Sequence, residues 1–173
     1  KINVNIFNKI WRLLEKKLKP EQIRKILMKK GDLGEIPLHR AIYNGYKEET
    51  EKGKNLLEIY SKHLGDEELF SIKSRDHENI FEFAAHRGKK EVVEVVCEKL
   101  QNFFKNDTKE IKKFLLKNDD YKYNALQLSV WNGGSDVFGC VFEFYEKVFK
   151  EIEELKNLIL EEIDRDGYKL VHL

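Results

Sequence analysis

Proline is nearly missing from this chain, with two in 173 residues. Ten glycines accompany them, which leaves little room for the Pro- and Gly-rich tracts that make flexible or disordered linkers. Cysteine is equally scarce, at positions 97 and 140. A small secreted scaffold stapled by disulfides needs more of it, so the expectation is a reducing, intracellular compartment, the cytoplasm. Neither cysteine has a second cysteine or a histidine at zinc-ligand spacing. Charge of one sign is missing too. Lysine and arginine number 32 against 31 aspartates and glutamates, a net charge of +1. A dedicated nucleic-acid binder carries a basic excess to neutralise phosphates. No apolar run approaches the roughly 18 residues that read as a membrane span. The opening Lys1-Ile2-Asn3-Val4-Asn5 has no signal-peptide pattern,. It does not begin with Met, and the expectation is a segment excised from a longer protein.

Charge and apolar stripes at helical spacing are what the chain does have. Charged residues make up 36% and hydrophobic ones 41%, which suits a helical protein with a heavily solvated outer face. Glu15-Lys16-Lys17 and Lys47-Glu48-Glu49 read as such a face,. Apolar residues at 92, 93, 96, 97 and 100 form one helical stripe,. Val137, Val141, Phe142, Phe144, Tyr145 and Val148 form another, and Leu56, Leu57, Ile59 and Tyr60 a third.

A short motif recurs ahead of each stripe. Gly34-Glu35-Ile36-Pro37-Leu38-His39-Arg40-Ala41 is followed by Asn44-Gly45. Asn79-Ile80-Phe81-Glu82-Phe83-Ala84-Ala85 is followed by Gly88, and Asn124-Ala125-Leu126-Gln127-Leu128-Ser129 by Gly133. Gly167-Tyr168-Lys169-Leu170-Val171-His172 begins a further copy. This pattern resembles the signature of the ankyrin-repeat family, in which a Gly opens a turn, T-P-L-H-x-A starts a helix and a second Gly ends it. Ile36 stands where Thr is usual, and Ile80 and Ala125 replace Pro. The helix-ending glycines fall at 45, 88 and 133, spacings of 43 and 45 residues. The usual unit is about 33 residues, so each copy is enlarged.

The expected fold is all-α, an ankyrin-like helical-repeat solenoid with short finger turns. Each unit holds a short first helix, a longer second helix and an added amphipathic segment, read as a third helix or a lengthened loop. The added segments are Glu67–Ile72, Asp107–Leu116 and Ile152–Ile163. Asp107 and Glu110 are placed as a capping box. Ala41, Ala84 and Ser129 are small enough to let neighbouring first helices approach. Residues 1–30 read as the tail of a preceding repeat or as an N-terminal cap, with Pro20 in the first turn of a helix. Repeats then cover 31–75, 76–118 and 119–163, and 164–173 start another.

The resemblance implies where a partner binds: on the fingers and on the concave face of the first helices. Carried over by position, the candidate partner-binding residues are Leu33, Glu35, Tyr43, Arg75, Glu78, Arg87, Tyr121, Tyr123, Trp131, Asn132 and Tyr168. Tyr, Trp and Arg dominate binding hot spots. Tyr121 and Tyr123 are expected to project outward; Trp131 is large enough to pack between helices instead, and both readings stand. His77 and Lys122 occupy the turn position held elsewhere by Gly, where positive φ costs a side chain energy.

No residue is assigned to catalysis. The resemblance gives His39 and His172 a structural role, bonding turn backbone. His63, His77 and His86 form no ligand spacing. Cys97 and Cys140 read as small core residues. Asp119-Asp120 and Asp164-Arg165-Asp166 read as turn caps. Gly133-Gly134 lacks the Lys-Ser/Thr of a phosphate loop. The function these signals imply is a non-catalytic protein–protein interaction module, a scaffold without cofactor, metal, nucleic acid, membrane insertion or small-molecule substrate. Two alternatives remain: a cytosolic structural or gating domain of an ion channel, and a pathogen or symbiont effector or toxin that targets host proteins. The Lys-, Asn- and Ile-rich composition, suggestive of an AT-rich genome, is compatible with the second.

Overall fold

A computed structural model describes residues 4–43, 47–116, 123–131 and 134–160. Among them the chain is all-α, with eleven helices. Two come first: α1 (Val4–Lys17) and α2 (Pro20–Leu27). Then a short, a long and a short helix follow one another three times: α3 (Pro37–Tyr43), α4 (Lys47–Leu64) and α5 (Asp66–Ser71); α6 (Ile80–Arg87), α7 (Lys90–Phe103) and α8 (Thr108–Leu115); α9 (Ala125–Trp131), α10 (Ser135–Val148) and α11 (Ile152–Leu160). The added segments are therefore helices rather than loops.

Local chemistry sets several of the helix starts. Pro20 opens α2, where its missing N–H costs nothing,. At α6 the Asn79 side chain accepts from the Phe81 and Glu82 amides at 2.9 Å, and Glu82 accepts from the Asn79 amide at 2.6 Å. Asn124 and Gln127 exchange the same pair of bonds at 3.0 Å ahead of α9. The first set satisfies three otherwise orphaned donors and the second two. At α8 only half of the expected box forms. Asp107 accepts from Lys109 and Glu110 amides, but the Glu110 carboxylate turns to Lys113 Nζ at 2.5 Å. An exposed carboxylate has a nearby cation to prefer over its own backbone.

The short helices pack on one another, α3 on α6 and α6 on α9. Ala41, Ala84 and Ser129 are buried on them, so small side chains do stand where the backbones come together,. The long helices pack likewise, α4 on α7 and α7 on α10, while α1 and α2 pack on α4. Their apolar stripes fill one core. Leu57, Tyr60, Val93, Val96, Leu100, Val141 and Tyr145 have no exposed surface. Burying each aliphatic side chain contributes about 1.5–3 kcal/mol. Tyr60 also donates its hydroxyl to the Leu27 carbonyl, tying α4 to α2, and burial pushes its phenol well up from the ordinary value.

Two turns of matching geometry precede α3 and α6. Gly31 N–H donates to the Glu35 carbonyl and Gly34 N–H to the Gly31 carbonyl, both at 2.9 Å. In the second turn Ser74 N–H donates to the Glu78 carbonyl at 2.8 Å and His77 N–H to the Ser74 carbonyl at 3.2 Å. Gly34 has φ 77° and His77 has φ 65°. Histidine thus adopts the left-handed conformation that the sequence made costly, and the turn is kept. The Ser74 hydroxyl accepts from the Asp76 and Glu78 amides, which over-determines the loop,.

Candidate functional site

The C-terminal ends of α3, α6 and α9, the first short helix of each set, carry Tyr43, His86 and Trp131. Their spacings of 43 and 45 residues match those of the motif glycines. One helical turn earlier on the same helices stand Arg40, Phe83 and Leu128,. These six residues and the two turns line two adjoining clefts.

The first cleft, about 340 Å³, lies between the turns. Leu33, Glu35 and Arg75 come from the turns, and Arg40, Tyr43 and Phe83 from α3 and α6. Its far wall is Arg87 with Asp76. The Arg87 guanidinium bonds the Asp76 carboxylate at 3.3 Å and sits over the Tyr43 ring, 5.6 Å from its centroid. It is thereby held by one charge and one aromatic face. The second cleft, about 380 Å³, shares Asp76 and Arg87 and continues past His86 to Tyr123, Leu128 and Trp131.

Most of the expected partner-binding residues gather here. Leu33, Glu35, Tyr43, Arg75 and Arg87 line the first cleft, and Arg87, Glu78, Tyr123 and Trp131 the second. Tyr121, Asn132 and Tyr168 lie outside the described residues. Two of the described residues differ from expectation. Tyr123 is buried, 8% exposed, in an edge-on contact with Trp131 whose ring centroids are 5.2 Å apart. It supports Trp131 instead of projecting. Glu78 is 2% exposed. Its carboxylate accepts from the Ser74 hydroxyl at 3.1 Å and faces His86 Nδ1 at 2.5 Å, so it braces the turn from inside. Trp131 does both things open to it: it packs on Tyr123 and near His86, yet stays 57% exposed.

Arg40, Phe83 and Leu128 are lining residues that the sequence comparison by turn position missed. The signal was present: each stands three residues before Tyr43, His86 or Trp131, on the same helical face,.

His39 is buried, with Nδ1 2.6 Å from Glu35 Oε2, so it faces a carboxylate where the resemblance implied turn backbone. The approach is close but poorly directed, and neither ring nitrogen makes a well-formed hydrogen bond. Burial pushes the imidazole below its ordinary value, against the opposing pull of Glu35 and Glu78. Cys97 and Cys140 are free thiols. A hydrogen bond between them pushes Cys97 up and draws Cys140 down.

Among the described residues no group of His, Cys, Asp and Glu is arranged to hold a metal ion. No helix among them is long and apolar enough to cross a membrane. No family model, curated protein or solved structure matches this chain.

Proposed function

We propose that the chain is a non-catalytic protein–protein recognition module of the cytoplasm, built as an ankyrin-like array of stacked helical units. The short–long–short order of the helices, the like-on-like packing of short and long helices and the paired turns support the array. The observation that carries the function is the row of Tyr43, His86 and Trp131 beside two continuous clefts. Tyr43 and Trp131 are each 57% exposed although they are among the largest apolar side chains in the protein. Solvated aromatics beside a fixed arginine are what a binding hot spot is made of. The clefts are preformed, so little ordering entropy opposes association. Recognition is the whole activity in this reading, with no cofactor, metal, nucleic acid or small-molecule substrate.

The test is a pull-down from native lysate with the chain and with Tyr43→Ala/Arg75→Ala/Trp131→Ala. All three residues are exposed, so the variant is expected to melt cooperatively. A partner kept by the parent and lost by the folded variant supports this surface. A partner bound equally by both places recognition elsewhere and overturns it.

A further inference from the structure

We infer that the first cleft recognises an acidic, extended polypeptide segment, with a carboxylate side chain on Arg75 and an apolar side chain between Leu33 and Tyr43. The inference rests on the reading of this face as a protein-binding surface and names the chemistry of its partner.

The charges of the cleft are unequally committed. Both of its carboxylates are occupied within the fold. Glu35 Oε1 accepts from the Arg75 amide at 3.2 Å, and Oε2 faces His39 at 2.6 Å. Asp76 is held by Arg87. The Arg75 guanidinium is exposed and has no side-chain partner among the described residues. Its backbone amide is held by Glu35, so the side chain springs from a fixed turn with its donors open. A guanidinium offers a rigid fork that fits a carboxylate through two bonds.

The positive character continues beyond Arg40. A neighbouring hollow of about 390 Å³ includes Lys29, Lys30, Arg40 and Lys52 in its lining, with Glu35 as its one acidic member among the described residues. A net charge of +1 for the whole chain makes this a local feature. It steers a partner to one end of the face rather than attracting polyanions everywhere.

The apolar half of the argument comes from Leu33 and Tyr43, 60% and 57% exposed at the mouth, with Phe83 behind them. A bare phosphate or a nucleic-acid backbone would leave these surfaces wet. A peptide side chain covers them and removes their apolar area from water. The cleft opens along the helix ends into the second one at Arg87, which an extended chain can follow.

Fluorescence anisotropy on the whole chain tests this. The probes are three dye-labelled peptides of equal length, alternating Glu/Leu, Gln/Leu and Lys/Leu. The Glu/Leu peptide is expected to bind about fivefold tighter than Gln/Leu, the upper end of what one solvent-exposed ion pair contributes, and to weaken as salt rises. Arg75→Gln should remove most of that preference, and Arg75→Glu should turn it toward Lys/Leu. Thermal melts confirm that both variants fold. Equal binding of Glu/Leu and Gln/Leu, no binding of any peptide, or an unchanged preference in Arg75→Glu overturns the inference. So does stronger displacement of Glu/Leu by a short DNA duplex than by unlabelled Glu/Leu. Tyr43→Ala should weaken all three peptides alike and leave the Glu/Leu to Gln/Leu ratio unchanged; an unchanged Glu/Leu affinity in that variant overturns the apolar contact and with it the inference. A lysate partner indifferent to the triple variant discards the face itself.

Discussion

The backbone amide of Arg75 donates to the Glu35 carboxylate at 3.2 Å, a bond across 40 residues that ties the turn before α6 to the turn before α3. The other oxygen of the same carboxylate faces the buried His39. Glu35→Ala removes both interactions and is expected to cost about 1–3 kcal/mol, the penalty for leaving a partly buried polar group unmet. Glu35→Gln keeps an acceptor for the Arg75 amide and should lose less. Urea melts of the two variants decide; equal midpoints would show that the bond does not join the turns.

Tyr123 and Trp131 touch, yet they should respond differently to truncation. Tyr123 is buried, and Tyr123→Ala is expected to cost about 2–4 kcal/mol through lost packing and a cavity,. Trp131 is more than half exposed, and Trp131→Ala should cost under about 1 kcal/mol,. Partner binding should fall in the second variant while its melt stays near that of the parent. The reverse order of stabilities would mean that the aromatic pair is anchored from the Trp131 side.

Two glycines are needed for different reasons. A Cβ on Gly88 would stand 2.4 Å from the Ala84 carbonyl oxygen, a backbone atom that cannot swing away. Gly88→Ala is expected to destabilise by about 1–3 kcal/mol, as overpacking does. A Cβ on Gly34 meets nothing within 4 Å, but φ is 77° there. Gly34→Ala should cost about 1–2 kcal/mol from the left-handed backbone alone. Thermal melts check both, and Gly34→Asn should recover part of the loss because Asn tolerates this region.

His39 should make stability depend on pH. Its folded pKa lies below the ordinary 6.5 because burial disfavours the charged ring. The unfolded chain therefore binds a proton that the folded chain refuses. Stability is full above about 6.5 and falls as pH drops from there toward the lowered value, by at most about 1.4 kcal/mol per pH unit. His39→Gln should flatten this slope as pH falls below the ordinary histidine range. Other histidines titrate in both proteins, so the difference between the two curves isolates residue 39. Parallel curves would refute the assignment.

Asn79 and Asn124 should each matter as helix caps. Removing either side chain by Asn→Ala is expected to cost about 1 kcal/mol, read as a shift in denaturant midpoint. The helices they start, α6 and α9, pack on each other, so the double variant should lose more than one cap. No loss in either would mean that packing alone holds these helix starts.

Helix positions and faces were legible in the sequence because they depend on neighbours a few residues apart. Val92, Val93, Val96, Cys97 and Leu100 recur at helical spacing, and all five are buried. Pro20, Asn79 and Asp107 mark helix starts through contacts within three residues. Tyr43 and Trp131 were placed at helix ends by the resemblance, carried over position by position, and they close α3 and α9.

Side-chain direction at the turns was decided only in three dimensions. Glu78 and Glu35 occupy matching turn positions, yet Glu78 turns inward to Ser74 and His86 while Glu35 reaches across to Arg75. Their near neighbours differ, with Ser74 against Gly31 four residues before and Glu82 against His39 four residues after, but the bond to Arg75 exists only because the next turn is brought alongside. Tyr123 is buried because Trp131 lies against it, and Arg87 is fixed because Tyr43 and Asp76 meet it from two different elements. His77 keeps a left-handed turn because the surrounding hydrogen bonds outweigh the strain,. Short-range periodicity fixes where helices run and which side is apolar. Which large or charged side chain remains in water depends on what the next helix or turn brings against it, and that is a property of the assembled fold.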